Sequence, residues 1–281
     1  MTPLLQVDEL RKSYLSHGTE VRAVDGVSFT LEVGASLGIV GESGSGKSTT
    51  ARMLVGLEEP DSGRILVRGA EVERRRGSRR ARLEQAAALQ IVFQDPYLSL
   101  DQRVTVAGSI DAVLRLHGKG DRAARRARAL ELLTQVGLGE REAAALPRRL
   151  SGGQRQRVAI ARALAVEPSV LVLDEAVSAL DVSVQTQVLN LLTDIRRDTG
   201  IGLVFVIHDL AVVRYVCETA LVMSRGEVVE SGSTAALLDH PQHPYTRLLL
   251  SAVPRPGWDP DAIGRLRRRA DVDRSAAVVA R

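Results

Sequence analysis

The strongest constraint on this chain is one loop. Residues Gly41, Glu42, Ser43, Gly44, Ser45, Gly46, Lys47 and Ser48 spell G-x-x-x-x-G-K-[ST] between an apolar run, Ser36–Val40, and a helical pattern over residues 47–56. Glycines at these points let the backbone curl so that successive N–H groups face a phosphate chain. The helix that follows adds the positive end of its dipole. Lys47 then reaches β- and γ-phosphates, and the Ser48 hydroxyl can ligate Mg²⁺. The alternative is a glycine loop that merely turns. With glycine at about 7% of residues, a chance match is on the order of one in a hundred. Lysine is scarce here, three among 38 basic residues, which lowers that further.

A phosphate loop needs a carboxylate for its metal at the end of a neighbouring buried strand. Val170-Leu-Val-Leu-Asp174-Glu175 supplies one. Asp174 would hold Mg²⁺ through water, and Glu175 is placed to polarise the attacking water. Two acids capping the next helix is the competing explanation. Beside the loop it loses.

Around these motifs strands and helices alternate. Strands are expected at residues 4–7, 27–31, 36–40, 64–67, 89–93, 170–173, 203–207, 220–223 and 228–230, with turns at Gly18, Gly26 and Gly34. Between residues 104 and 164 the pattern is helical. Val106, Ile110, Val113 and Leu114 share a face, and Gly118 stops that helix. Asp121 caps the next, which should carry Ala127, Leu130, Leu133 and Val136 inward and Arg122, Arg125, Arg126 and Arg128 outward before Gly137. A later helix over 183–198 presents Val184, Val188, Leu191 and Ile195. Such alternation argues for an α/β fold on a parallel sheet, with the N-terminal strands and helical insert as appendages.

The chain has 281 residues, enough for one to two domains with a core that needs no staple. A single cysteine, Cys217, excludes a disulfide framework and a four-cysteine metal site. No apolar run reaches the roughly 18–20 residues that span a bilayer, and the first residues lack a secretory pattern. A soluble cytoplasmic protein is expected. Net charge is +4. The densest basic run, residues 74–82, has no aromatics interleaved, so a solvated helix face is favoured over a nucleic-acid patch. The last twenty residues read as a polar tail.

A second small-residue loop opens a helix at Leu150, Ser151, Gly152, Gly153 and Gln154. Physically it is another anion site, with a serine hydroxyl and a helix N-terminus. One nucleotide does not need two such sites in one chain. The economical explanation is that this loop closes over nucleotide held by another subunit.

These residues resemble the ATP-binding cassette (ABC) ATPase family, whose signature is LSGGQ. The resemblance implies a P-loop NTPase (RecA-like) parallel-sheet core, an N-terminal antiparallel β subdomain and an inserted α-helical subdomain. It implies ATP and Mg²⁺ as ligands, with residues Gly41 to Ser48 and Thr49 around the phosphates. Tyr14 resembles the aromatic residue that stacks on adenine. Gln94, in Val92-Phe-Gln-Asp-Pro96, resembles the Q-loop glutamine that senses Mg²⁺ and attacking water. Ser178-Ala-Leu-Asp181 is similar to the D-loop, and His208 to the switch histidine that contacts the γ-phosphate. The family pattern implies a cassette over residues 1–253, with a helical subdomain at about 98–165.

Two further stretches, Asp95-Pro-Tyr-Leu-Ser-Leu-Asp101 and His243-Pro-Tyr-Thr-Arg-Leu-Leu-Leu-Ser-Ala-Val-Pro254, resemble the oligopeptide/dipeptide/nickel importer branch. They imply a short C-terminal extension over 243–281. Ala176 stands where this branch usually has proline, and the extension is short and lacks the cysteines of some members. The branch implies two membrane permeases, a head-to-tail second ATPase, and an extracellular or periplasmic solute-binding protein. It implies a place on the cytoplasmic face of a bacterial cell membrane, and no nucleic acid. The alternatives are a nickel importer ATPase, an accessory ATPase of a phosphonate carbon–phosphorus lyase system, and a non-transport ABC ATPase acting on nucleic acid or a ribosome.

Overall fold

The computed structural model describes residues 2–16, 18–72 and 78–251. β1 (Leu5–Ser16) and β2 (Thr19–Leu31) form a long antiparallel hairpin, followed by β3 (Ser36–Val40), α1 (Lys47–Leu54), β4 (Ser62–Val67) and β5 (Ala70–Glu71). Then come α2 (Arg79–Ala88), β6 (Leu89–Phe93), α3 (Pro96–Ser99), α4 (Val106–Leu116), α5 (Arg122–Gln135), α6 (Glu140–Ala144) and α7 (Gly152–Leu164). The chain continues through β7 (Val170–Asp174), α8 (Val182–Thr199), β8 (Gly202–Ile207), α9 (Leu210–Val216), β9 (Thr219–Ser224), β10 (Glu227–Ser233), α10 (Thr234–Asp239) and α11 (Pro244–Ser251).

The strands make two sheets. One is antiparallel, ordered β2-β1-β4-β5. The other is ordered β10-β9-β3-β8-β7-β6, with β9 through β6 parallel and β10 an antiparallel edge. Its inner strands read as unbroken apolar runs because both faces are covered. Val170, Val172, Val204 and Val206 face a core shared with the antiparallel sheet and α1. Leu171, Leu173, Leu203, Phe205 and Ile207 face the other, shared with α7, α8, α9 and the helical stretch. The period of two thus sends alternate residues into different cores.

Local details differ from the sequence expectation where polar residues hide a strand or a stripe drifts. The hairpin extends far beyond residues 4–7 and 27–31, into a tip at residues 14–16 and 19–22 that is exposed on both faces and so carries no burial pattern. Gly26, read as a turn, sits inside β2 at φ 71° beside a register shift at Leu10. On α5 the inward residues are Ala129, Leu132, Leu133 and Val136, with Leu130 half-buried and Ala127 exposed. The expected stripe ran in three steps of three residues, which carry it through roughly 180° around a helix. α8 buries Val188, Leu189, Leu192 and Ile195, with Val184 and Leu191 half-buried. Of the basic run, Arg79, Arg80 and Arg82 are exposed on α2, where Arg80 pairs with Glu84 at 2.8 Å. Residues 74–77 of that run, and 252–281 with the expected tail, lie outside the described residues.

Candidate functional site

Sheet register brings the motif residues to one edge. Val40 pairs with Ile207, Asp174 with Val206, and Phe93 with Asp174. The residues that leave these carboxyl ends, Gly41, Gln94, Glu175 and His208, therefore emerge side by side. That edge is where ligands bind open parallel sheets.

The loop from Gly41 is moulded by main chain. At Gly41 (φ 155°) a Cβ would lie 2.2 Å from the Met223 carbonyl oxygen, and at Gly46 (φ 104°) 2.2 Å from that of Ala23. Only glycine fits either point. Lys47 is buried, and its Nζ donates to the carbonyls of Gly41 and Glu42, each at 2.8 Å. Burial holds its ammonium pKa below the ordinary lysine value, against the pull of Glu175, Asp174 and Glu42. Ser48 Oγ donates to Asp174 Oδ1 at 3.0 Å. Thr49 lies in α1, with its side chain near the Tyr14 hydroxyl. Ser43 and Gly44 are exposed at the bend, while Ser45 N donates to the Glu42 carbonyl at 3.2 Å.

Glu175 follows with a left-handed backbone, φ 50°, unusual for a residue with a side chain, and its N–H donates to the Val206 carbonyl at 3.0 Å. His208 Nδ1 stands 3.9 Å from Glu175 Oε1. Gln94 Nε2 donates to Ser178 Oγ at 3.2 Å, and Ser178 Oγ donates to the Glu175 carbonyl at 2.9 Å. Gln94 and Glu175 are thus joined through a serine to which sequence reasoning gave no role of its own.

Tyr14 on β1 is 40% exposed, with Lys12 Nζ 5.5 Å from its ring centroid. Burial and the nearby Glu58 carboxylate raise its phenol pKa. Ser151 and Gln154 form a reciprocal cap on α7. Ser151 Oγ accepts from Gln154 N at 3.2 Å, and Gln154 Oε1 accepts from Ser151 N at 3.0 Å. Gly152 is exposed, but Gly153 is buried, and a side-chain carbon there would meet Val184 Cγ1 at 2.3 Å. Asp181 Oδ1 caps α8 by accepting from Val184 N at 3.0 Å, a bond that lowers its carboxyl pKa.

One contact at the phosphate loop has no signal in the sequence. Glu42 N donates to the hydroxyl of Tyr245, 203 positions away on α11, at 3.1 Å. Only the fold brings that tyrosine to the loop.

The ABC transporter family matches residues 24–178, and the oligopeptide/dipeptide transporter C-terminal region matches residues 229–274. The chain is 45% identical over 261 residues to a putative peptide import ATP-binding protein of Brucella ovis, covering 93% of this chain and 81% of that protein. It is 47% identical over 259 residues to the glutathione import ATP-binding protein GsiA of Salmonella choleraesuis, covering 90% of this chain and 41% of GsiA. Among solved structures, CbiO1 of Clostridium perfringens, part of the ABC transporter complex cbiONQ, superposes with a TM-score of 0.75 at 30% identity. That match covers 85% of this chain and 92% of CbiO1. The ATP-binding cassette MJ0796, in a dimeric post-hydrolysis state with ADP and Pi, gives 0.74 at 30% identity over 82% of this chain and 98% of its own. The chain belongs to the ABC transporter family, as an ATP-binding and ATP-hydrolysing cassette with the P-loop α/β core and antiparallel sheet of its structural neighbours. Among the described residues no helix is long and apolar enough to cross a membrane.

Proposed function

We propose that this chain energises import of an oligopeptide, a dipeptide or a related small solute through membrane permeases. The observation that carries the site assignment is the Ser48–Asp174 hydrogen bond at 3.0 Å, beside buried Lys47 at the carboxyl edge of the sheet. Residues Gly41 to Thr49 hold the phosphates of ATP, with Lys47 exchanging its two carbonyl partners for phosphate oxygens. Tyr14 packs on the adenine.

Glu175 takes a proton from the attacking water as the water oxygen bonds to the γ-phosphorus and the bond to ADP breaks. His208 contacts the γ-phosphate, and Gln94 orients the water. The oxygen donors Ser48 and Asp174, with Gln94, suit Mg²⁺, a hard cation that needs few protein ligands when phosphates and waters supply the rest. When bound, it offsets the phosphate charge.

A second cassette, this chain or a relative, pairs head to tail. Ser151, Gly152, Gly153 and Gln154, with Asp181, then complete the partner's ATP site, so ATP favours the closed pair and hydrolysis reopens it. The exposure of Ser151 and Gly152 at the start of α7 supports this. Residues 1–253 form the cassette, with a helical part at about 98–165, and 243–281 the extension. Two permeases and a solute-binding protein outside the cytoplasmic membrane complete the importer, with this chain on the cytoplasmic face. The named relatives and the matched C-terminal region support import.

The test is a mild-detergent pull-down from native membranes with mass spectrometry. Two polytopic permeases are the expected companions. A purely soluble set of partners would overturn import and leave the ATPase.

A further inference from the structure

The Gly41–Glu42 peptide is gripped from both sides. Its carbonyl accepts from Lys47 Nζ at 2.8 Å, and its N–H donates to the Tyr245 hydroxyl at 3.1 Å. The next carbonyl, of Glu42, also accepts from Lys47, so the orientation of this peptide decides whether both carbonyls face the lysine. A peptide with an ammonium on its oxygen and an acceptor on its N–H is polarised in one direction, and each bond strengthens the other.

Tyr245 is itself held. It is 4% exposed, and the turn that presents it is anchored on β10. Glu230 Oε1 accepts from Gln242 N at 2.8 Å and Glu230 Oε2 from His243 N at 3.0 Å, while His243 Nδ1 accepts from Tyr245 N at 3.1 Å. Glu230, His243 and Tyr245 therefore form a strut from the edge strand to the phosphate loop. A proline at the first position of α11 fixes the entry of that helix. Nothing in the chemistry of hydrolysis requires a residue here.

Resting on the nucleotide reading of the loop, we propose that Tyr245 is a positioning residue. Its hydroxyl orients the Gly41–Glu42 peptide for phosphate binding and so couples α11 to nucleotide affinity. Coupling of this kind is reciprocal: what the helix does for nucleotide, nucleotide does for the helix.

The test uses the full chain with Mg²⁺-ADP and Mg²⁺-ATP. In the wild type, ADP should slow amide hydrogen exchange across residues 244–251 as well as in the loop. Tyr245→Phe keeps the ring and removes the oxygen. It should weaken ADP binding about 3–10-fold, the loss of one net hydrogen bond, and speed exchange at Glu42. It should also abolish the ADP-dependent protection of 244–251, and the loss in turnover should fall on KM rather than kcat. Unchanged exchange at 244–251 in wild type on adding ADP overturns the proposal whatever the variant does. So does a Tyr245→Phe protein with wild-type ADP affinity, or one whose loss is in kcat alone. Lys47→Ala separates the two levels. If it also binds ADP like wild type, the nucleotide assignment of the loop falls and takes the strut with it. If it abolishes binding while Tyr245→Phe is silent, only the strut falls.

Discussion

Ser48 Oγ donates a 3.0 Å hydrogen bond to Asp174 Oδ1 across 126 positions of sequence, tying the first turn of α1 to the end of β7. Burial holds the Asp174 carboxyl above its ordinary pKa, the Ser48 bond opposes this, and the Glu175 charge adds to it. A cation between the loop and this strand would relieve that burden. Asp174→Asn keeps an acceptor for Ser48 and removes the charge. The Mg²⁺ concentration for half-maximal ATP turnover should rise about 10–100-fold. A magnesium titration at fixed ATP measures it, and an unmoved midpoint would detach Asp174 from the metal.

Glu175→Gln should bind ATP normally and lose turnover by about 10²–10⁴-fold, the usual worth of a general base. The ATP complex should then accumulate as a dimer in gel filtration. Near-normal turnover would remove Glu175 from its role.

The mutual cap of Ser151 and Gln154 shapes a cleaner test of the paired site. Aspartate caps a helix as well as serine does, so Ser151→Asp should preserve α7. It also places a negative charge against the phosphates of the facing cassette. Turnover should drop by about 10²-fold while ADP affinity at the chain's own loop, read by calorimetry, is retained. A collapse of that affinity would contradict head-to-tail pairing.

Cys217 is 7% exposed, and burial pushes its thiol pKa up to about 12. The neutral thiol should resist a maleimide at pH 8 in the native protein and react fully in denaturant. As the single cysteine of the chain it reports unfolding of the β8–β9 region. Rapid native labelling would mean that α9 opens locally.

Much of the site was legible because its chemistry is written in contiguous stretches. The loop at Gly41, the acids at Asp174 and Glu175, and the α7 cap at Ser151 each carry residue types that few other roles need. Strand register then does the assembly, since parallel runs of five or six residues ending in Val40, Phe93, Asp174 and Ile207 pair so that their ends share an edge. What was not legible depends on distance in sequence or on packing. Tyr245 reaches Glu42 only through the return of the chain past β10. Gly153 reads as part of an anion site, yet its burial against Val184 already demands the absence of a side chain. The tip of the β1–β2 hairpin, residues 14–16 and 19–22, has no burial pattern because neither of its faces is covered.

The walls that confine Gly41 and Gly46 are the backbone oxygens of Met223 and Ala23, one from each sheet. Ala23 confines Gly46 through backbone atoms alone, whereas Met223 also brings its side-chain Cε to 3.3 Å from where a Cβ at Gly46 would lie. A change in how the two sheets sit on one another would reshape this mould at once. Inheritance of this site is inheritance of a spacing between sheets. An engineer wishing to retune phosphate affinity gains more from altering the packing between them than from replacing residues along the rim.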